Sequence, residues 1–379
     1  MESPFVFGRI ATGSSFVNRT KEIKHLSDNF TSGINTMIIS PRRWGKSSLV
    51  SKSALKVKRK HKDIRICNLD LFRIQNEDQF FESFAQVVLK ASSSRWQEWV
   101  SVAKEMLGGL ISSISIGTDP VNDFSLKLSW NKVSREENAV LDLPEKIAIK
   151  KNLRFIICID EFQKIDEFKD SLFLQQRLRS HWQEQSRTSY CLFGSKRHTI
   201  TKLFTSQAQP FYGFGDLIYL RKIEKEHWYR YIKRRFESTG KLVSEEFIGR
   251  IIQVTGNHPY HMQQLAHYLW RLTEKEATPE TFHKSLDELI LNNEILFRRE
   301  VENVTSLQLR YLEAIMNKEK HLNSAEVIQK YQLGSPGNLT TIKTALESKE
   351  IVDFFEQEPV FVNPIFEYWL RNYFFGTPR

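Results

Sequence analysis

The sequence contains few cysteines and no long apolar run, and both absences exclude classes of protein. Its three cysteines each lie within an apolar stretch, without the paired spacing of a metal site, so we expect Cys67, Cys158 and Cys191 to be buried and reduced. No stretch approaches the roughly 18 apolar residues that a membrane helix needs. The first residues lack the basic start and apolar centre of a secretion signal. We therefore expect a cytoplasmic protein without a membrane partner.

The composition is that of a packed protein with an uneven charge. With 379 residues, of which 40% are hydrophobic, the chain is long enough for two or three domains. No repeat of about 20–50 residues is visible, which excludes a solenoid or a propeller. The net charge is +10, and residues 42–65 alone contain ten lysines and arginines against one acidic residue, Asp63. This basic segment is typical either of a nucleic-acid contact or of a solvated helix face.

A phosphate-binding loop is predicted between a strand and a helix. An apolar run, residues 34–39, precedes the loop, and a helical pattern, residues 49–55, follows it. The candidate ATP-binding residues are Ser40, Pro41, Arg42, Arg43, Trp44, Gly45, Lys46, Ser47 and Ser48. Strand, loop and helix occur here in the order of a P-loop, which surrounds the phosphates of a nucleotide with backbone N–H groups.

Two side chains of this loop have predicted roles. A P-loop needs a lysine that reaches the β- and γ-phosphates and a hydroxyl that contacts Mg²⁺, and Lys46 and Ser47 match these requirements. Ser40 replaces the first glycine of the pattern G-x-x-x-x-G-K-S/T, whereas Gly45 remains available for the positive φ that the loop requires. The sequence thus predicts ATP and Mg²⁺ as ligands.

An acidic pair follows the apolar strand pattern of residues 155–160. Two carboxylates at the end of a buried strand are costly unless they bind something, and a Walker B strand supplies the reason. We expect Asp160 to hold Mg²⁺ through water, opposite Ser47, and Glu161 to polarise the attacking water as a general base.

A second polar strand end follows residues 189–193. Because ligands of open α/β sheets lie at the carboxyl ends of parallel strands, Ser195, Lys196 and Arg197 belong at the same edge as Asp160. Ser195 is expected to orient the water or sense the phosphate, and Lys196 or Arg197 to stabilise the developing charge. A plain strand-to-helix turn with solvated charges fits these residues equally well. The candidate catalytic residues are Glu161, Lys46, Ser195 and Arg197.

The order of the elements predicts an α/β P-loop NTPase sheet in the first 220 residues. Short apolar runs alternate with helical stretches, which indicates parallel strands covered by helices on both faces. Besides residues 34–39, the predicted strands are 64–69, 155–160, 189–193 and 216–220. Residues 92–146 interrupt this rhythm, and we interpret them as a helix followed by a β-hairpin-like insertion.

Helical patterns dominate after Leu220. A helix start is indicated at Thr278-Pro279, because threonine caps helices and proline suits their first turn. From about Leu307 the pattern predicts three helices and then two short strands, which is the layout of a winged helix. We therefore expect a helical lid over residues 221–300 and a winged-helix domain over residues 301–379.

The motifs together resemble those of a known family. The loop at residues 40–48, the Asp160–Gln163 segment and the Gly194-Ser195 turn are similar to those of AAA-like P-loop ATPases of the STAND group. More narrowly, they resemble the archaeal-type ATPase domain family, which is also widespread in bacteria. The resemblance covers essentially the whole chain.

This resemblance implies further site residues. Residues 16–22 are similar to the family's Phe-x-x-Arg-x-x-Glu segment, which implies that Arg19 packs near the adenine. Residues 256–259 match the Gly-x-x-Pro turn of the lid, which implies that Pro259 approaches the base. Residues 361–370 resemble the end of the family's winged helix. The sequence departs from the family where Tyr212–Gly215 stands for Tyr-Gly-Arg-Ala, which removes one cation.

Three functions are compatible with these residues. The first is an ATPase switch, in which the bound nucleotide sets the arrangement of the lid and the winged helix and thereby the contacts with a protein partner or a second copy. The second is an ATP-regulated DNA-binding protein. Its candidate recognition helix, residues 337–350, carries Lys343 and Lys349 against two glutamates, and Glu356 and Glu358 lie in the wing, so DNA is a possible but not favoured partner. The third is a nucleotide-binding scaffold with negligible hydrolysis.

Overall fold

The computed structural model describes residues 2–11, 13–129, 135–355 and 358–376. The chain divides into two compact units, which we describe separately. The core unit consists of Arg19–Ser40 and Lys46–Arg221. The helical unit consists of the described residues of Met1–Asn18, Pro41–Gly45 and Lys222–Arg379.

The core unit contains seven of the described strands and nine of the described helices. Its strands are β1 (Thr36–Ile39), β2 (Ile64–Asp70), β3 (Ile111–Ser115), β4 (Ser125–Leu128), β5 (Arg154–Asp160), β6 (Thr188–Phe193) and β7 (Asp216–Tyr219). Its helices are α1 (Thr20–Ser32), α2 (Lys46–Lys60), α3 (Glu77–Ser92), α4 (Trp96–Leu107), α5 (Pro120–Asp123), α6 (Arg135–Leu141), α7 (Leu143–Lys151), α8 (Ser171–Glu184) and α9 (Arg197–Thr205).

A five-stranded sheet of order β2-β5-β6-β1-β7 forms the centre of this unit, and all its neighbouring strands are parallel. The strands read as continuous apolar runs because hydrophobic clusters bury both faces; β6 is buried along its whole length. All five predicted strands are present, and the predicted α/β fold class is confirmed. Cys67, Cys158 and Cys191 are buried and free, as expected.

The interval 92–146 contains the expected helix and hairpin. Helix α4 precedes β3 and β4, which pair antiparallel with α5 in their connection. Helices α6 and α7, which the sequence pattern did not predict, follow. Residues 130–134, within the predicted insertion, lie outside the described residues.

The helical unit has one continuous hydrophobic core. Its helices are α10 (Lys225–Glu237), α11 (Glu245–Thr255), α12 (Pro259–Leu272), α13 (Pro279–Glu302), α14 (Ser306–Met316), α15 (Ala325–Lys330), α16 (Pro336–Ser348) and α17 (Pro364–Trp369), and α17 continues into a π-helical turn over Leu370–Phe374. Two short strands, β8 (Val352–Asp353) and β9 (Val360–Phe361), pair antiparallel. None of the described helices is both long and apolar enough to cross a membrane.

The start of α13 has the predicted chemistry. Thr278 accepts a hydrogen bond from the backbone of Thr281, whose hydroxyl in turn accepts one from the backbone of Thr278, and Pro279 occupies the first turn. Because α13 continues to Glu302, the domain boundary that we predicted at residue 300 falls inside a helix.

The order α14, α15, α16, β8, β9 agrees with the helix-helix-helix-hairpin order that we predicted, although Glu356, in the predicted wing, lies outside the described residues. The N-terminal segment differs from the expectation. We placed it in the first domain, but Phe5 and Val17 are buried in the core of the helical unit, because their apolar side chains pack there with residues such as Phe236.

Candidate functional site

The phosphate loop lies between β1 and α2 and has two residues in the left-handed region. The φ angle of Gly45 is 90°, as the loop chemistry predicts, and that of Arg43 is 62°. Ser40 keeps a negative φ. This is the physical reason why a serine is tolerated where the common pattern has glycine.

The two predicted phosphate and metal side chains begin α2. Lys46 is buried, and its Nζ donates a hydrogen bond to the carbonyl of Ser40 at 3.3 Å. The hydroxyl of Ser47 donates to Oδ2 of Asp160 at 2.8 Å. Burial raises the pKa of the Asp160 carboxyl, and the hydrogen bonds from Ser47 and from the backbone of Glu161 oppose that rise. The structure therefore brings together the hydroxyl and the carboxylate that we predicted as magnesium groups, although they lie 113 residues apart.

The predicted base, Glu161, is held by neighbouring side chains. Its backbone has a φ of 54°, an uncommon value for a residue with a side chain. Its Oε2 accepts hydrogen bonds from the hydroxyl of Ser195 at 2.8 Å and from the backbone N–H of Ser195 at 3.3 Å. The Nε2 of Gln163 donates to the same oxygen. Three donors thus orient one carboxylate oxygen, and Ser195 contacts the base itself.

Gln163 reaches this carboxylate because Gly194 leaves room for it. A Cβ atom at position 194 would lie 1.7 Å from Oε1 of Gln163. The Gln163 side chain is buried, and a Cβ atom at position 194 would displace the end of this side chain from its place beside Glu161. Gly194 therefore leaves the room in which Gln163 orients Glu161.

The two cations after Ser195 have different surroundings. The Nζ of Lys196 is exposed and lies 3.5 Å from a carboxylate oxygen of Glu167. Arg197 is the first residue of α9, and its charge partly offsets the burial that raises the pKa of Tyr219 at the end of β7. The charge of Arg197 therefore lies near Tyr219, whereas Lys196 is engaged at the surface.

The middle of the phosphate loop packs within the helical unit. The guanidinium of Arg43 lies 4.5 Å from the ring centroid of Tyr260, a cation–π distance. Trp44 is 8% exposed, and its ring meets the His258 ring edge to face at 6.3 Å between centroids. His258 precedes α12, is buried, and has an Nδ1 without a hydrogen-bond partner among the described residues. Of the other loop residues, Pro41 and Ser48 are buried and Arg42 is exposed.

The two residues that the family resemblance implied near the base lie in different units. Arg19 is 3% exposed and donates to Glu22 at 3.0 Å and to the carbonyl of Arg221 at 2.9 Å. Burial lowers the pKa of its guanidinium, and Glu22 opposes this. Pro259 is the first residue of α12. Their predicted roles beside the adenine stay predictions.

Three residues that make these contacts were not predicted from the sequence: Gln163, Tyr260 and His258. Each belongs to one of the motifs described above or is adjacent to one, yet we assigned it no role. A signal existed for Gln163, because it follows Glu161 by two residues at a turn. For Tyr260 and His258, only their position beside Pro259 pointed to the loop.

The residues at the carboxyl edge of the sheet fit Mg²⁺ and a phosphate. A serine hydroxyl and a carboxylate at 2.8 Å are the hard oxygen donors that Mg²⁺ accepts, and Mg²⁺ in such sites keeps several waters. No cluster of three or more metal-ligating side chains occurs among the described residues, and a P-loop site does not need one because the phosphates also serve as ligands. Lys46 and the loop amides are the groups that would hold the phosphates.

This arrangement defines the fold of P-loop nucleotide-binding proteins, because it combines a strand, a phosphate loop, a helix and an acidic strand end. The family model described as "ATPase domain predominantly from Archaea" matches residues 16–265, and the chain belongs to this family. The sequence-based resemblance to the archaeal-type ATPase family is thereby confirmed. A search of curated proteins finds no match.

Solved structures share this fold at low sequence identity. The Walker-type ATPase of Pyrococcus abyssi is 16% identical with a TM-score of 0.63, and the match covers 94% of this chain and 96% of that one. The ORC2 protein of Aeropyrum pernix, solved in ADPNP-ADP complexes, is 14% identical with a TM-score of 0.55, covering 95% and 94%. The ORC1 protein of the same organism, solved in complex with DNA, is 11% identical with a TM-score of 0.50, covering 96% and 95%.

Proposed function

We propose that the protein binds ATP with Mg²⁺, hydrolyses it, and uses the nucleotide state as a conformational switch. The observation that carries the proposal is the 2.8 Å contact between the Ser47 hydroxyl and Asp160, because it joins the predicted metal groups of two separate motifs. Membership of an ATPase family supports the binding of ATP. Nucleotide complexes of a protein with the same fold are consistent with it.

The residues of this chain divide the chemistry among them. Lys46 neutralises charge on the β- and γ-phosphates, and Glu161 accepts the proton of the attacking water. Mg²⁺, held by Ser47 and Asp160, would supply charge neutralisation at the phosphates. Ser195 and Gln163 orient Glu161. Arg197 stabilises the negative charge that develops as the phosphoryl group is transferred to water.

The switch requires that the two nucleotide states differ in affinity for two conformations of the protein. A change at the nucleotide can reach the rest of the helical unit through the loop residues Arg43 and Trp44. These residues pack against Tyr260 and His258. A loop that reorganises around phosphates changes these contacts. We propose that the helical unit, with its lid and winged-helix parts, then alters its contacts with a protein partner or a second copy, as in STAND proteins.

A nucleotide-binding scaffold with negligible hydrolysis is the second candidate. The observation in its favour is that Oε2 of Glu161 already accepts three hydrogen bonds. A carboxylate oxygen that already accepts three hydrogen bonds has little room to accept one from the attacking water until one donor leaves. In this case binding of ATP alone would set the conformation of the helical unit.

The variant Glu161→Gln separates the two candidates. The amide keeps the shape of the side chain but cannot accept the proton, so we expect ATP binding to persist and turnover to fall by about a hundredfold or more. Thermal shift with Mg-ATP measures binding, and phosphate release measures turnover. Glu167→Gln, a change of the same chemistry at an exposed residue, is the matched control. Turnover of Glu161→Gln at the wild-type rate would exclude Glu161 as the base.

A further inference from the structure

A cationic surface covers the exposed side of the last turns of α2. The exposed residues of this helix are Leu55 and four cations, and one further lysine follows the helix. We name this set the basic α2 surface: Lys56, Lys58, Arg59, Lys60 and Lys62. Within the described part of the chain, none of these five side chains forms an ion pair.

The acidic residues nearby do not neutralise this surface. Asp63, the acid closest in sequence, accepts a hydrogen bond from Nε of Arg154 at 2.8 Å, and this contact holds the pKa of its carboxyl below the usual range. Helix α1 packs against α2 and exposes Lys21 and Lys24 in its first half and Asp28 in its second half. Its Glu22 is engaged by Arg19. The exposed positive charge is thus concentrated on α2, and α1 adds two lysines against one exposed carboxylate, Asp28.

The nucleotide does not account for these charges. Lys56 follows Lys46 by ten residues, which corresponds to about 15 Å along the helix axis, and the distance increases toward Lys60. Helix α2 leads away from the phosphate loop to the amino end of β2. The helix dipole favours cations only in the last turn, so it does not explain Lys56 or Lys62.

We propose that the basic α2 surface binds the phosphate backbone of double-stranded DNA without sequence selectivity. Several adjacent exposed cations without carboxylate partners complement closely spaced phosphates. Base reading uses mainly arginine, asparagine and glutamine, and the exposed part of α2 contains one arginine and no amide side chain. The surface is therefore suited to backbone contacts.

The side chains also distinguish between related partners. Single strands are bound by stacking on aromatic rings, but Phe30, the aromatic residue of α1, is buried and α2 has none. Duplex RNA is recognised through 2′-hydroxyls, yet no exposed residue of α2 is a hydroxyl or amide. A membrane needs an exposed apolar face, whereas the apolar face of α2, with Leu49, Val50 and Val57, lies in the core.

The predicted recognition helix is a weaker candidate for the same contact. The Nζ of Lys343 donates to Asn323 at 3.0 Å, and the Nζ of Lys349 donates to the carbonyl of Asn303 and to Gln308. Both amines are thus engaged with oxygens of the protein. The DNA contact that we propose is separate from the proposed ATPase activity and from the winged helix.

Fluorescence anisotropy with labelled duplexes of two unrelated sequences tests the proposal, over a range of salt concentrations and with the full chain. We expect binding that weakens with salt and is equal for both sequences. Replacing Lys56, Lys58, Arg59 and Lys60 by alanine should weaken binding at low salt at least about tenfold, because the slope of log affinity against log salt flattens by about 0.9 for each phosphate that the protein no longer neutralises. The matched control removes four exposed cations of α10 (Lys225, Arg230, Lys233 and Arg234) and should retain binding.

Two groups of outcomes would overturn the proposal. The proposal is wrong if the wild type shows no detectable binding, if both variants bind equally weakly, or if Lys343→Ala alone weakens binding. The basic α2 surface would then have another role. Preferential binding of duplex RNA, single strands or anionic phosphatidylserine vesicles would identify a different partner. If the fourfold variant does not fold, as judged by circular dichroism, the double variants Lys56→Ala/Lys60→Ala and Lys58→Ala/Arg59→Ala each should flatten the slope by about half as much.

Discussion

The hydroxyl of Ser195 donates a 2.8 Å hydrogen bond to Glu161, so a residue that we predicted to orient the water or sense the phosphate contacts the candidate base directly. The backbone N–H of Ser195 and the side chain of Gln163 donate to the same carboxylate oxygen. The orientation of the candidate base is thus set by the turn after β6 and by the strained backbone of Glu161 itself.

Ser195→Ala should slow ATP turnover and leave ATP binding unchanged. Removing one hydrogen bond of about 0.5–1.5 kcal/mol misorients Glu161, which corresponds to a roughly two- to tenfold lower kcat. Steady-state phosphate release measures kcat, and thermal shift measures binding. Ser186→Ala is the control, since Ser186 donates to Glu145 at 3.0 Å near the opposite end of β6. An increase in kcat would instead show that Ser195 restrains the base.

Lys46→Ala should remove most of the stabilisation that Mg-ATP confers. At a ligand concentration a hundredfold above Kd, linkage predicts about 2.7 kcal/mol of stabilisation for the wild type. Because Lys46 supplies the charge for the β- and γ-phosphates, the variant should show a much smaller shift in Tm. Lys56→Ala, in the same helix but exposed, should behave as the wild type. Equal shifts in Lys46→Ala and the wild type would disprove the phosphate-loop assignment.

The fluorescence of Trp44 should change when ATP binds. Its ring is buried next to Gly45 and packs against His258, so a loop that closes around phosphates changes its environment. We expect the change in tryptophan fluorescence on adding Mg-ATP to be mostly absent in Trp44→Phe. Trp270→Phe, which replaces another buried tryptophan of the helical unit, should keep the change. If Trp44→Phe retains the full signal, the loop contacts do not respond to the nucleotide.

The free energy of unfolding should fall as the pH is lowered through the histidine range. Burial lowers the pKa of His261 to about 4 and lowers that of His258 strongly, whereas both titrate near 6.5 in an unfolded chain. Between these values only the unfolded chain binds the proton, so the stabilisation is complete above about pH 6.5 and decreases toward pH 4.

The variant His261→Gln tests this dependence. It should reduce the loss of stability between pH 7 and pH 5 by about 1–2 kcal/mol, measured by urea unfolding at each pH. His283→Gln, at an exposed residue of α13, should leave the dependence unchanged. An unaltered dependence in His261→Gln would show that other groups cause it.

The fold and the central motifs were accessible from the sequence because their signals are local. Buried parallel strands appear as unbroken apolar runs, so β5 and β6 were found nearly to the residue. Helices α6 and α7 were missed, because short helices have weak periodicity and depend on packing for their stability.

The order of strand, phosphate loop, helix and acidic strand end could be predicted from the sequence, since each is defined by adjacent residues and their backbone preferences. Which distant side chains meet depends on the folded structure. Three contacts depend on the folded structure: that of Ser47 with Asp160, those of Gln163 and Ser195 with Glu161, and that of Arg43 with Tyr260. The reason is physical: such contacts follow from the register of neighbouring strands and the packing of helices, and neither is encoded within a short window of sequence.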